Sequence, residues 1–200
     1  MNGFEEISGR KPTITLPIPV QRPIPQFCQN GVNYRYFSRR MFIEVKTIPA
    51  TFLSGLKERM SLTNNQTQQL WKKFMPIRHS LPKVDGSPFY SVEVYDNTDH
   101  FRNFDPSRTF IKWAALEIEP EADIPDSFDI LEIPSGLYAV FLHRGSEAQA
   151  AKTYGFIFSE WLPNSTYLLD NRPHFAMMGD RYIHGSEASE EEIYIPVQPR

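Results

Sequence analysis

The hydrophobic and polar positions of this chain change period along its length, and the changes predict strands interrupted by two helices. Period-two stretches rich in aromatic and β-branched residues predict β-strands, whereas apolar residues three and four positions apart predict amphipathic helices. The predicted strands are residues 42–48, 51–60, 89–95, 109–119, 128–133, 136–143, 174–178 and 192–197. The polar segments 96–108 and 179–191 are predicted to be loops.

The two predicted helices each end next to a proline. The first covers residues 64–75 and the second residues 154–162, and each carries one apolar stripe. Pro76 and Pro163 follow them directly. Because proline lacks the backbone N–H that the next helical turn requires, we expect both helices to stop there.

An internal repeat of about 85 residues relates the two halves of the patterned region. The tetrapeptide Ile48-Pro49-Ala50-Thr51 matches Ile133-Pro134-Ser135-Gly136, and Phe74-Met75-Pro76 matches Trp161-Leu162-Pro163. Each half reads strand, strand, helix, strand, strand, built from sequential hairpins with one crossover helix. This order predicts an α+β fold with a curved, mostly antiparallel sheet and two helices on one face. A concave surface between the halves is a natural place for a ligand cleft.

The first forty residues differ from this pattern. Five prolines fall between Pro12 and Pro25, and each fixes the backbone and removes a hydrogen-bond donor. We expect residues 1–40 to be a disordered extension or a misassigned start, with Met41 as the true first residue and 41–200 as the duplicated domain. The intact mass of the natural protein tests the second alternative.

The composition of the chain limits the cellular compartments and the classes of binding partner that are compatible with it. A net charge of −3 and a pI near 6.0 argue against direct nucleic-acid binding through phosphate contacts. The lone Cys28 excludes an intrachain disulfide and is typical of a reducing compartment. No apolar run reaches about 18 residues and no signal peptide is evident. We therefore predict a cytoplasmic protein that binds neither nucleic acid nor membrane.

Motifs for metals, cofactors and nucleophilic catalysis are missing from the sequence. The five histidines are scattered without metal-ligand spacing, and there is no phosphate-binding glycine loop, GxSxG elbow or HExxH. We therefore predict neither a metal nor a cofactor. The acidic stretch Glu187–Glu192 could imitate nucleic acid, but such a segment is more often a solvated hairpin.

Aromatic residues and one acid on the predicted strands suggest a site for a small organic molecule. Alternation places Phe89, Ser91, Glu93 and Tyr95 on one face of their strand. Aromatic rings beside a carboxylate suit flat or cationic molecules through stacking and charge. The alternative is that the rings are ordinary core residues and Glu93 faces water.

Three stretches of the second half resemble a known family. They are Trp161-Leu162-Pro163-Asn164-Ser165, Arg172-Pro173-His174-Phe175 and Glu192-Ile193-Tyr194-Ile195-Pro196-Val197, together with the strand Gly136–Phe141. All resemble the GyrI-like and AraC-type effector-binding domains of bacterial transcription regulation. The resemblance implies two pseudo-symmetric β-α-β-β repeats around a cleft for hydrophobic, often cationic, small molecules. Some members of this family hydrolyse reactive compounds, and one branch binds DNA gyrase.

The chain departs from the family where the usual Phe-Glu pair reads Phe175-Ala176. An alanine can neither accept a proton nor pair with a cation. The repeat places Glu93 at about the equivalent position of the first half, from which it could supply a carboxylate. The candidate ligand contacts are therefore Glu93, Tyr95, Trp113, Tyr138, Phe175, Ala176, Met178 and Tyr194.

These observations favour a stand-alone effector-binding domain for a hydrophobic or cationic small molecule over an enzyme. One alternative is a hydrolase that uses Glu93 as the general base, with Tyr138 and Trp113 orienting the substrate. Another is an inhibitor-type protein that binds a regulatory partner or gyrase.

Overall fold

The computed structural model describes residues 41–101 and 104–200, which form nine strands and two helices. Residues 1–40, with the predicted extension and Cys28, lie outside the described residues. The strands are β1 (Phe42–Ile48), β2 (Thr51–Met60), β3 (Phe89–Val94), β4 (Phe110–Glu117), β5 (Asp129–Ile133), β6 (Gly136–Arg144), β7 (Tyr167–Leu169), β8 (His174–Met178) and β9 (Glu190–Pro199).

All neighbouring strands are antiparallel, in the order β1-β6-β9-β8-β3-β4-β2-β5, with β7 paired to β9. The strands of the first half correspond, in sequence, to strands of the second half: β1, β2, β3 and β4 correspond to β5, β6, β8 and β9. When each strand is replaced by its counterpart, the same strand order is obtained, read from the opposite end. A pseudo-twofold axis therefore passes between β3 and β8, where Ser91 pairs with Ala176. The predicted α+β fold with a duplicated unit is confirmed.

The first strand of each half belongs to the other half's part of the sheet. Strand β1 pairs with β6, so that Ile48 lies opposite Gly136, and β5 pairs with β2, so that Ile133 lies opposite Thr51. The expected hairpin between β1 and β2 is therefore wrong. This exchange matches the repeated Ile-Pro tetrapeptides, and it makes the two halves depend on each other for their outer strands.

Both helices end one residue past their proline. Helix α1 (Thr67–Ile77) includes Pro76, and a short 3-10 turn follows it. Helix α2 begins at Ala150, widens into a π-helical turn over Ile157–Trp161 and ends at Asn164, just after Pro163. The prediction that each helix stops before its proline was wrong by this margin, because a proline in the last turn costs only one terminal hydrogen bond.

Three hydrophobic clusters divide the core between the two faces of the sheet. Leu70 and Phe74 of α1 pack on β2 and β4, and Ile157 of α2 packs on β6 and β9. Both clusters use residues of one face, called here the helix face. The third cluster contains no helix residue and covers the opposite face, called here the aromatic face.

Candidate functional site: the helix face of the two central strands

In the middle of the helix face the cluster under α1, against which Phe89 packs, meets the cluster under α2, which includes Ala176. Residues directly opposite each other in an antiparallel pair share a face. The pairs at this place, called here the central strip, are Phe89 with Met178, Ser91 with Ala176, and Glu93 with His174. The side chains of Ser91 and Ala176 at its centre are small, and Ala176 is buried in the cluster under α2.

Glu93 lies at one end of the central strip, where its negative charge is paired with Lys112. The Lys112 Nζ donates a hydrogen bond to Glu93 Oε1 at 2.8 Å, and the Tyr95 hydroxyl donates one to Oε2 at 2.5 Å. Only 9 % of the Lys112 side chain and 15 % of the Glu93 side chain are exposed. Burial opposes ionisation of Glu93, but the Lys112 ammonium and both hydrogen bonds hold the pKa of Glu93 below its usual value.

His174 is the neighbour of Glu93 across the pseudo-twofold axis. Its ring is buried, and within the described residues its Nδ1 has no hydrogen-bond partner. Burial lowers the pKa of His174 to about 4, against a smaller opposing effect of Glu93. His174 is therefore a neutral, flat surface at neutral pH rather than a charged group.

Aromatic rings stand above this end of the strip. The Phe101 ring, from the loop after β3, lies nearly parallel to that of Phe158 on α2, with centroids 4.4 Å apart. It also lies nearly parallel to the His174 ring at 5.0 Å and contacts Tyr95 edge-on at 4.7 Å. At the other end, Phe89 and Met178 border a pocket of about 200 Å³.

The aromatic face is a packed core. Phe175 stacks on Tyr194 at 4.5 Å, and Tyr138 reaches Phe175 at 5.3 Å although β9 lies between their strands. That contact indicates that the sheet curves toward this face. The chain's own cations already cover several rings, with Arg172 over Tyr138 at 4.5 Å and Lys57 over Trp113 at 5.3 Å.

The eight predicted contacts therefore do not converge on one cleft. Four lie on or beside the central strip, and they are Glu93, Tyr95, Ala176 and Met178. The other four lie on the aromatic face, and they are Trp113, Tyr138, Phe175 and Tyr194.

Two expectations built on these residues change as a result. Trp113 and Tyr138 cannot orient a substrate held at Glu93, because the sheet separates them from it. Glu93 is also not the equivalent of Ala176. The register pairs Ala176 with Ser91 at the pseudo-twofold axis, which leaves Glu93 two residues away.

Sequence reasoning missed Lys112, Phe101 and Glu191 as residues of this region. Lys112 interrupts the apolar strand β4, and alternation alone places it on the face opposite Trp113, which was an available signal. Phe101 is one of two phenylalanines in a polar loop. Glu191 was assigned to a loop, but β9 begins at Glu190 and holds the Glu191 side chain on the helix face.

Comparisons with known proteins agree with this architecture. The family described as GyrI-like small molecule binding domain matches residues 41–198. The chain is 26 % identical over 161 residues to the transcriptional regulator BrlR of Pseudomonas aeruginosa, covering 80 % of this chain and 56 % of that protein. It is 33 % identical over 94 residues to a DNA gyrase inhibitor of Erwinia billingiae, covering 41 % of this chain and 58 % of that protein. The chain thus spans little more than half the length of these relatives.

Solved structures share the fold at low sequence identity. The structure of SAV2435 bound to tetraphenylphosphonium superposes with a TM-score of 0.58 at 18 % identity, covering 78 % of this chain and 93 % of that one. The C-terminal domain of EcmrR superposes with a TM-score of 0.58 at 14 % identity, covering 80 % and 99 %. Among the helices of the described ranges, none is long and apolar enough to cross a membrane.

Proposed function

The chain belongs to the GyrI-like small-molecule-binding domain family, and we propose that it binds flat, hydrophobic aromatic molecules on the central strip between α1 and α2. The observation that carries this proposal is the pair Ser91 and Ala176, two small side chains at the pseudo-twofold axis, where the cluster under α1 meets the cluster under α2 to which Ala176 belongs. A ring resting on them would meet aromatic walls at Phe89 on one side and Phe158 on the other.

Charge on the strip favours neutral ligands over cations. The central position that holds an acid in the resembling family is Ala176, and the Glu93 carboxylate is shared between Lys112 and Tyr95. A cation placed near Glu93 would have to compete with a buried ammonium 2.8 Å away. The Glu93–Lys112 pair does not weaken the binding of a neutral ring, because such a ring requires only apolar contacts.

The same ion pair argues against a hydrolase that uses Glu93 as its base. A carboxylate with a lowered pKa that already accepts hydrogen bonds from Lys112 and Tyr95 is a weak proton acceptor near neutral pH. We therefore propose a binding role without turnover.

The test compares a neutral and a cationic aromatic probe. We expect N-phenyl-1-naphthylamine to bind with a fluorescence increase, and tetraphenylphosphonium to bind more weakly in a thermal-shift assay. Ser91→Tyr fills the strip and should abolish binding, whereas Ser159→Tyr, on the exposed side of α2, should leave binding unchanged. The placement of the ligand on the strip would be contradicted if both variants lost the same affinity for the probe, or if Ser91→Tyr bound the probe as tightly as the wild type.

A second pair of variants tests the role of charge. Ala176→Glu places a carboxylate at the centre of the strip and should strengthen tetraphenylphosphonium binding about tenfold through direct charge attraction, while Ala176→Gln controls for size. If the wild-type chain already prefers the cation and Ala176→Glu adds nothing, the neutral-ligand proposal is wrong.

Interaction with gyrase is the second candidate function, and the similarity to the DNA gyrase inhibitor of Erwinia billingiae favours it. The match covers 41 % of this chain. A supercoiling assay with purified gyrase checks it. Inhibition that persists in Ser91→Tyr would separate a protein-binding surface from the ligand cleft.

A further inference from the structure

One aromatic side chain of the β3–β4 loop crosses from the first half of the molecule to the second. Residues Thr98–Phe101 form a short 3-10 turn, and Phe101 leaves it to contact Phe158 of α2 and His174 of β8. The corresponding loop of the second half behaves differently. There, Tyr182 donates a hydrogen bond to Glu147 within its own half.

The contacts of Phe101 are those that a flat ligand would make. Its ring is inclined by only 17° to the ring of Phe158 and by 6° to that of His174. Offset, near-parallel stacking is a preferred arrangement of aromatic pairs. His174 supports such stacking because burial keeps the ring neutral.

The loop itself does not require this ring to be buried. Phe104 lies three residues further along the same loop and is 71 % exposed. One phenylalanine of the loop therefore lies in water, while the other covers the end of the central strip that holds Glu93. Phe101 also contacts Tyr95 of its own half edge-on, but the two rings on which it stacks nearly parallel, Phe158 and His174, both belong to the second half.

We propose that Phe101 is an internal occupant of the ligand cleft, and that an aromatic ring of the ligand replaces it against Phe158 and His174. This inference rests on the proposed binding function and adds a competition to it. The ligand-free protein holds the cleft closed with its own side chain, and binding releases residues 98–101 toward solvent. Phe101 thereby lowers the apparent affinity, since only the fraction of molecules with the ring displaced can bind.

The affinity test uses Phe101→Ala with Phe104→Ala as the matched control. Both variants remove one phenyl group from the same loop, but only the first removes the internal competitor. We expect N-phenyl-1-naphthylamine to bind Phe101→Ala about tenfold more tightly than the wild type, and Phe104→Ala within twofold of it. Unchanged or weaker binding to Phe101→Ala would overturn the inference, since Phe101 would then be a wall of the site or unrelated to it.

A direct readout does not depend on the stability of the alanine variant. 4-Fluorophenylalanine placed at position 101 or, separately, at position 104 reports the surroundings of each ring by fluorine NMR. Saturation with the probe should move the signal of position 101 toward that of the exposed position 104. A signal that stays at its ligand-free position while the probe is bound overturns the competition but leaves the proposed function standing. Absence of probe binding in the wild type and in Phe101→Ala overturns both.

Discussion

Removing the Glu93 carboxylate should destabilise the domain strongly, because the buried Lys112 ammonium would lose the carboxylate that it contacts directly and would keep only the more distant charge of Glu191. The two groups are 2.8 Å apart, with side chains 15 % and 9 % exposed. Breaking a buried pair from one side typically costs about 3–5 kcal/mol. We expect Glu93→Gln to lose about 3 kcal/mol, since the glutamine can still accept the hydrogen bond from Tyr95. For a domain of this size that corresponds to about 6–12 °C in Tm.

The matched control is Asp129→Asn. Asp129 accepts a hydrogen bond from Lys57 at 2.7 Å, but these side chains are 45 % and 44 % exposed. Solvent screens this pair, so its loss should cost less than about 1 kcal/mol. Urea unfolding at pH 7, followed by circular dichroism, measures both variants.

A double variant separates the charge from the packing. Glu93→Gln combined with Lys112→Met removes both charges and keeps similar volumes, so it should recover to within about 1 kcal/mol of the wild type. The reasoning is refuted if Glu93→Gln costs no more than Asp129→Asn. In that case the Glu93 carboxylate would not be committed to Lys112, and it would be available to a cationic ligand.

Three further predictions follow from the same region and from the sheet. Because the unfolded chain protonates His174 near its usual pKa of 6.5 while the folded chain does so only at about 4, the free energy of unfolding should fall by about 2 kcal/mol from pH 7 to pH 5. His174→Phe keeps a ring facing Phe101 but cannot be protonated, so urea titrations of this variant should not show this loss of stability. The charges of Glu93 and His100 also influence the pKa of His174. Burial raises the pKa of Glu191, so ionisation of this carboxyl group favours the unfolded state. Glu191→Gln should therefore stabilise the protein at pH 7, and the gain in stability should shrink toward pH 4. A gain that does not change with pH would refute this prediction. Gly55→Ala would drive its new methyl group into the Ala114 carbonyl oxygen and should cost at least about 2 kcal/mol, whereas Gly155→Ala meets nothing within 4 Å and should gain about 0.5–1 kcal/mol by thermal unfolding.

The duplication and all elements except the short strand β7 could be predicted from the sequence, because they depend on local periodicity. Strand β4 and the stripe of Leu70 and Phe74 show their buried faces through spacing alone. The exchange of β1 and β5 between the halves could not be predicted, since pairing partners depend on contacts far apart along the chain. The π-helical turn at Ile157–Trp161 has no sequence signature in this chain either.

The candidate site was predicted less well, for a reason that alternation explains. The pattern identifies which residues of one strand share a face, but it does not say which face of one strand joins which face of the next. Trp113 was grouped with Glu93 although the register places Lys112 opposite Glu93 and Trp113 opposite Val92. A lysine within an apolar strand was the clue to the true neighbour of Glu93.

The two ends of the central strip are equivalent by topology but not by chemistry. The pseudo-twofold axis at Ser91 and Ala176 relates Glu93 to Met178 and His174 to Phe89. One end therefore carries a neutralised ion pair, while the other carries an apolar pair that borders a pocket of about 200 Å³.

The remaining acid lies near the apolar end. Glu192 pairs with Met177, so Glu191 is next in register to Met178, and among the described residues its half-buried carboxylate accepts no hydrogen bond. If ligands bind on the strip, as we propose, its two ends should bind the two ends of an asymmetric ligand differently. We expect a flat apolar ring to lie over Ser91 and Ala176, with any positive group directed toward Glu191 rather than toward Glu93.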